Sequence, residues 1–114
     1  MPITVNDVET LRDYTQGIME RAAHHGQNVS AIALTLVGAI LWRKDDEPIE
    51  VHEGRSMAHG TVLWAQINGQ RYAFKYNHSR QQIEMLEGTV RGNVLHRFDN
   101  RTSPLEVERI FRGL

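Results

Sequence analysis

Asn68-Gly69 constrains this chain more than any other pair of residues, because it sits between two apolar runs, Thr61 to Ile67 and Arg71 to Tyr76. An Asn-Gly pair readily gives both central residues of a type I′ turn their positive φ, and such a turn fixes a two-residue β-hairpin. The register follows from the turn. Ile67 faces Gln70, Ala65 faces Tyr72, Leu63 faces Phe74 and Thr61 faces Tyr76. Side chains alternate along a strand, so these residues share one apolar face. Val62, Trp64, Gln66, Arg71, Ala73 and Lys75 take the other. A slip of one residue would exchange the two faces, so the pairing is well specified.

The pattern extends to a third strand. Asn77-His78-Ser79-Arg80 reads as a polar turn, which sets Gln81 opposite Tyr76 and brings Ile83 and Met85 beside Phe74 and Tyr72. Gln82, Glu84 and Leu86 then join the Trp64 face, with Glu84 next to Ala73 and diagonal to Lys75 and Arg71. Opposite charges at such spacing contribute a few tenths of a kcal/mol on a wet face.

Upstream lie two helical segments. Asn6-Asp7-Val8-Glu9 carries an N-terminal cap signal, and Val8, Leu11, Ile18, Met19 and Ala22 recur at helical spacing, which predicts a helix over 7–24. His24 and His25 fall in its last turn, with Gly26 as a C-cap. Residues 30–42 are apolar on nearly every side. Either a buried helix or a buried strand fits that composition, and length together with Ala and Leu content favours a core helix, capped by Asn28 or Ser30. Gly38 lowers helix propensity there, which suggests the close approach of a neighbour. Arg43-Lys44 suits the C-terminal end of the helix dipole, and Asp45-Asp46-Glu47-Pro48 ends it.

Ile49 to Glu53 alternates as a short edge strand, and Val94 to Phe98 alternates as a further one. Ser103-Pro104-Leu105-Glu106 combines a hydroxyl cap, proline at the first helical position and glutamate at the third. Leu105, Val107, Ile110 and Phe111 give this last helix an apolar stripe. The expected fold is α+β: two N-terminal helices, an antiparallel meander of four to five strands, and a C-terminal helix, within one domain of 114 residues.

Composition narrows the function classes. The chain has no cysteine, which excludes disulfides, thiolate nucleophiles and sulfur-ligated metals. Thirteen basic against fourteen acidic residues leave a formal charge of -1, which gives no general attraction to nucleic acid or anionic membrane. The longest apolar run, Ala31 to Trp42, is too short to span a bilayer and no signal-peptide pattern opens the sequence, so a cytoplasmic protein is expected.

Six histidines raise the question of a metal. Adjacent His24 and His25 point about 100° apart on a helix, and His52-Glu53 lacks the second histidine of a metalloprotease helix, so no metal or other cofactor is expected. No nucleophile elbow or phosphate-binding glycine loop is present. His52, Glu53, Arg55 and His59 cluster around one loop, either as an acid/base site of a small enzyme or as a solvated loop, with the second reading favoured. His52 and Glu53 are strand neighbours pointing to opposite faces, and so should not form one site. Tyr72, Phe74 and Tyr76 resemble an RNA-binding strand only in their aromatic spacing; the glycine of that motif is missing, so they are expected in the core.

Ile67-Asn68-Gly69-Gln70, Gly92-Asn93-Val94-Leu95-His96-Arg97-Phe98-Asp99-Asn100 and Ser103-Pro104-Leu105-Glu106 carry a resemblance. Over residues 60–114 the chain is similar to short proteins borne by mobile integron gene cassettes. That resemblance implies a compact α+β protein, homo-oligomeric, with a small-molecule pocket, and it assigns no functional residue.

Residues and resemblance together point to a non-catalytic binding or interaction protein. Its candidate site is the outer sheet face with Trp64, Arg71, Lys75 and Glu84, taking either a small molecule or a protein partner, with homo-oligomerisation through the sheet expected. Association through this face is expected because Trp64, Val62, Ala73 and Leu86 would otherwise stand in water. Nucleic-acid binding through Trp64, Arg71 and Lys75 is disfavoured by the near-neutral charge.

Overall fold

The computed structural model describes residues 2–4, 7–25, 29–52, 62–77 and 79–114; of residues 2–4, 18, 20–25 and 52 only the backbone is described. In chain order the elements are β1 (Pro2–Thr4), α1 (Asp7–His25), α2 (Ser30–Arg43), β2 (Glu50–His52), β3 (Val62–Ile67), β4 (Gln70–Asn77), β5 (Gln82–Glu87), β6 (Val94–Phe98) and α3 (Pro104–Arg112). The strands form one antiparallel sheet of six in the order β1-β2-β3-β4-β5-β6. The α+β meander is as expected, with one strand more. β1 is three residues long and pairs with a strand some fifty positions away, Ile3 opposite Val51, and so short a segment has no periodicity to read.

The β3–β4 hairpin has the expected register, with Ile67 opposite Gln70, Ala65 opposite Tyr72 and Leu63 opposite Phe74; Thr61 lies outside the described residues. Asn68 and Gly69 take φ values of 51° and 81°, the left-handed conformations that a type I′ turn requires. The turn has a distant support. Asp45, just beyond α2, accepts from the Asn68 amide at 2.9 Å and from the Gly69 amide at 2.8 Å through its two carboxylate oxygens. Its own amide donates to the Gln66 carbonyl at 2.7 Å.

The next turn corrects the expected register. Tyr76 pairs with Ile83, Phe74 with Met85 and Lys75 with Glu84, so β5 is displaced by two residues and Gln81 belongs to the turn. Gln81 sits at φ 53°, and the Asn77 side chain accepts from the Arg80 amide at 3.1 Å. That local hydrogen bond accompanies a turn set one residue further along the chain than the polar tetrapeptide suggested, between the paired Asn77 and Gln82. Because the period of a strand is two, the displacement keeps every side chain on its expected face and changes only its neighbours.

All three helices pack on one face of the sheet. Leu63, Ala65, Ile67, Phe74, Ile83 and Met85 are buried there with Leu11, Ile32, Leu36, Ile40, Val107 and Phe111. The Tyr14 hydroxyl donates to the Phe74 carbonyl at 3.4 Å, and the Phe74 and Phe111 rings stack with centroids 6.3 Å apart. Tyr72 and Phe74 are buried and Tyr76 packs against the same core, so none of the three aromatics offers a stacking platform to nucleic acid.

Residues 30–43 form a helix, α2, in which Ser30 is the first helical residue and not the cap. Asn28 lies outside the described residues, and the N-cap position is Val29, whose side chain cannot accept. The orphan amides of Ala31 and Ile32 donate instead to the side-chain oxygen of Asn100, at 3.1 and 3.2 Å, from the turn ahead of α3. α3 begins as read from the sequence, with Ser103 accepting from the Glu106 amide and Pro104 in the first turn. Its stripe is narrower than expected: Val107 and Phe111 are buried, whereas Leu105 is exposed, as is Val8 on α1. Gly38 is a further correction, for a Cβ placed there meets no atom within 4 Å. The expected Asn6 and Gly26 caps of α1 lie outside the described residues.

Candidate outer-face site

The outer face of the sheet is organised in rows that cross the strands. One row runs Glu50, Trp64, Ala73, Leu86, Val94 over β2 to β6, and the next runs Val62, Lys75, Glu84, Arg97 over β3 to β6. A register irregularity between Met85 and Leu86 lets Leu86 pair with Val94 while Met85 pairs with His96. The extra residue, Leu95, resets the alternation, and this puts Val94 and Arg97 on the same face.

These rows split the four expected site residues into two groups. Trp64 and Arg71 form the first. The Arg71 guanidinium lies over the Trp64 ring, 5.1 Å from its centroid, and one terminal nitrogen is 3.5 Å from a Glu50 carboxylate oxygen. Its Nε–H is buried without an acceptor. Beside it opens a half-open groove of about 240 Å³, lined by Glu47, Pro48, Glu50, Trp64, Gln66 and Arg71 together with Ala65.

Lys75 and Glu84 form the second group. Glu84 is only 4% exposed, a buried carboxylate that accepts from the Asn77 amide group at 3.1 Å. Arg97 Nε stands 3.5 Å from the same oxygen, and Lys75 Nζ stands 4.0 Å from the other. Burial of a charge demands such partners, and here two cations and an amide supply them. With its acceptor positions committed inside the protein, Glu84 works as a structural tie across β4, β5 and β6.

Between the groups lie Val62, Ala73 and Leu86, at 7%, 0% and 2% exposure, packed against Trp64 and Val94. The apolar patch expected to stand in water is therefore largely covered within a single chain. Glu47 and Glu50 on the groove wall, and Asn77 and Arg97 beside Glu84, are further residues of this face that the sequence did not single out. Glu50 was legible in the alternation of its strand, whereas Arg97 depends on the bulge and Asn77 on the displaced turn.

His52 ends β2, and its side chain with Glu53, Arg55 and His59 lies outside the described residues, as do the proposed acid/base geometry and the expected separation of His52 from Glu53. Among the described residues no group of three or more His, Asp or Glu side chains could hold a metal ion. No helix among them is long and apolar enough to cross a membrane.

Among the described residues, three ionisable groups are displaced from their ordinary values. Burial raises the Asp7 carboxyl, but the Ile49 amide at 2.8 Å and the Lys44 ammonium at 2.6 Å outweigh it, leaving the pKa lowered. Asp99 is lowered chiefly by the Gln82 side-chain amide at 3.0 Å, against some burial, with help from the Arg101 amide. Tyr14 is raised by burial. All three tie elements together, and none lines the groove.

The family profile described as integron cassette protein VCH_CASS1 chain matches residues 11–109. The chain belongs to this integron cassette family. The match takes in α2, the whole outer face and most of α3, and extends the resemblance of the C-terminal half across nearly all of the chain. No curated protein matches the sequence.

Proposed function

We propose that this cassette protein is a non-catalytic binding protein whose ligand is a small zwitterion, of amino-acid or dipeptide size, held in the groove beside Trp64 and Arg71. The observation that carries the reading is Arg71, a guanidinium on the groove wall with a buried, unpartnered Nε–H and only a 3.5 Å contact to Glu50. An unsatisfied buried donor costs about 1–3 kcal/mol, which an incoming acceptor recovers. A ligand carboxylate that displaces Glu50 pairs with the guanidinium in bidentate fashion after a small swing of the side chain. Glu50 and Glu47 are then free to receive an ammonium group, and Trp64 and Pro48 supply apolar walls. The size agrees, since about 240 Å³ lies below the roughly 300–1,000 Å³ of pockets for drug-sized molecules.

Two carboxylates against one guanidinium disfavour a simple anion. Association of copies through this same face loses its premise, because Val62, Ala73 and Leu86 are already covered. The test is a titration with glycylglycine, its N-acetyl derivative and its C-terminal amide, followed through the NMR signals of the Trp64 indole N–H and the Arg71 Nε–H. Glycylglycine is expected to shift both signals at millimolar concentration, and each blocked form to bind more weakly. Unmoved signals, or equal binding of all three compounds, would defeat the proposal.

A further inference from the structure

The exposed side of α2 carries an apolar surface that no other element among the described residues buries. Leu34 is 58% exposed, Leu41 44% and Trp42 50%, and Leu105 at the start of α3 is 55% exposed. α3 runs parallel to α2, for Asn100 reaches the first turn of α2 while Arg43 donates to the Leu114 carbonyl at 2.9 Å and Arg112 lies over the Trp42 ring at 5.2 Å. The two helices thus present one continuous face. From Ser30 to Trp42 it contains no charged residue.

Gly38 lies at the middle of this face, exposed, with open space where a Cβ would stand. Inside a helix glycine lowers stability, and no intramolecular contact here explains it. Leu34 and Leu41 flank it one turn to either side, so the surface is a shallow notch between two knobs.

We infer that a second copy of the chain packs on this face, with the two α2 helices crossing antiparallel at Gly38 about a two-fold axis. Such an interface uses the same patch twice, so Leu34 of one copy meets the region of Leu41 and Trp42 of the other. The missing side chain at Gly38 lets the backbones approach closely. Charge agrees with this direction: α3 has Glu106 in its first turn and Arg109 and Arg112 in its last, and antiparallel pairing sets acidic ends against basic ends.

Area selects the strength of the contact. Half of four large side chains, at roughly 200 Å² each, makes on the order of 400 Å² of apolar surface per copy. A stable interface takes about 800 Å² from each partner, so this face with its polar rim supports a reversible dimer and not an obligate one. The inference is independent of the groove and of its ligand.

Sedimentation across a concentration series decides it, using wild type, Leu34→Glu, Leu41→Glu, Val90→Glu and Trp64→Glu. Leu34, Leu41 and Val90 are exposed, so these substitutions should leave the fold intact, and only variants whose circular dichroism matches the wild type are compared. The wild type is expected to dimerise with increasing concentration. Leu34→Glu or Leu41→Glu should weaken the dimer by about 100-fold, because each copy then sets an unpaired carboxylate against the other's apolar side chains. Val90→Glu and Trp64→Glu should leave it intact. A wild type that stays monomeric to about 1 mM, where even a contact worth only about 4 kcal/mol would show, overturns the inference. So does a dimer that withstands both leucine variants or dissolves in Trp64→Glu.

Discussion

Asp45→Ala tests how the helical layer and the sheet are locked together. The carboxylate accepts from the Asn68 and Gly69 amides at 2.9 and 2.8 Å, and these are the two central residues of the turn that sets the register of β3 and β4. A net contribution near the lower end of the hydrogen-bond range applies because the site is exposed and both amides regain water on removal, about 0.5–1 kcal/mol for each bond. The expected loss is therefore about 1–2 kcal/mol, which for a domain of this size lowers Tm by roughly 4–8 °C. Asp45→Asn retains one acceptor and should lose about half as much. Urea denaturation should show a lower midpoint with unchanged slope, since the buried surface stays the same. Exchange of the Gly69 amide should accelerate in both variants. A loss below about 0.3 kcal/mol in Asp45→Ala, with Gly69 exchange unaltered, would show that the turn holds itself and that Asp45 is a bystander.

Gly38→Ala should stabilise the dilute monomer by about 0.5–1 kcal/mol in urea denaturation, since the new methyl meets nothing. Asn100→Ala should cost about 1 kcal/mol by removing the acceptor that caps α2, with faster exchange of the Ala31 and Ile32 amides as its signature. Asp7 and Asp99 both have lowered pKa values, so the stability they contribute is complete above the unfolded carboxyl value of about 3.9 and is lost as pH falls through their lower folded values. Asp7→Asn should flatten that acid limb in thermal melts taken from neutral pH downwards; an unchanged limb would detach Asp7 from the linkage.

Legibility followed the range of the interactions. The Asn68-Gly69 turn, the Ser103 cap and the alternation of β3 and β4 are written within a few residues of one another, and the structure has them as expected. The β5 register moved because Gln81 occupies a left-handed conformation that side-chain pattern does not announce, and Glu84 came to face Lys75 instead of Ala73. Asp45 and Asn100 act on amides 23 to 69 positions away, where no local motif could register them. For the candidate site, alternation named Trp64, Arg71, Lys75 and Glu84, but it could not divide them. The division comes from Glu50 on β2 and Arg97 beyond the bulge, which draw Arg71 and Glu84 apart into a groove and a tie.

Calorimetric titration of glycylglycine into the wild type, Arg71→Gln and Glu50→Gln tests the binding account most directly. If the guanidinium receives the carboxylate and Glu50 the ammonium, each substitution should weaken binding by about 10-fold, equivalent to about 1.4 kcal/mol. Lys75→Gln, on the far side of the apolar row, should bind as the wild type does. Equal affinity in all four proteins, or a loss confined to Lys75→Gln, would contradict the assignment of the groove.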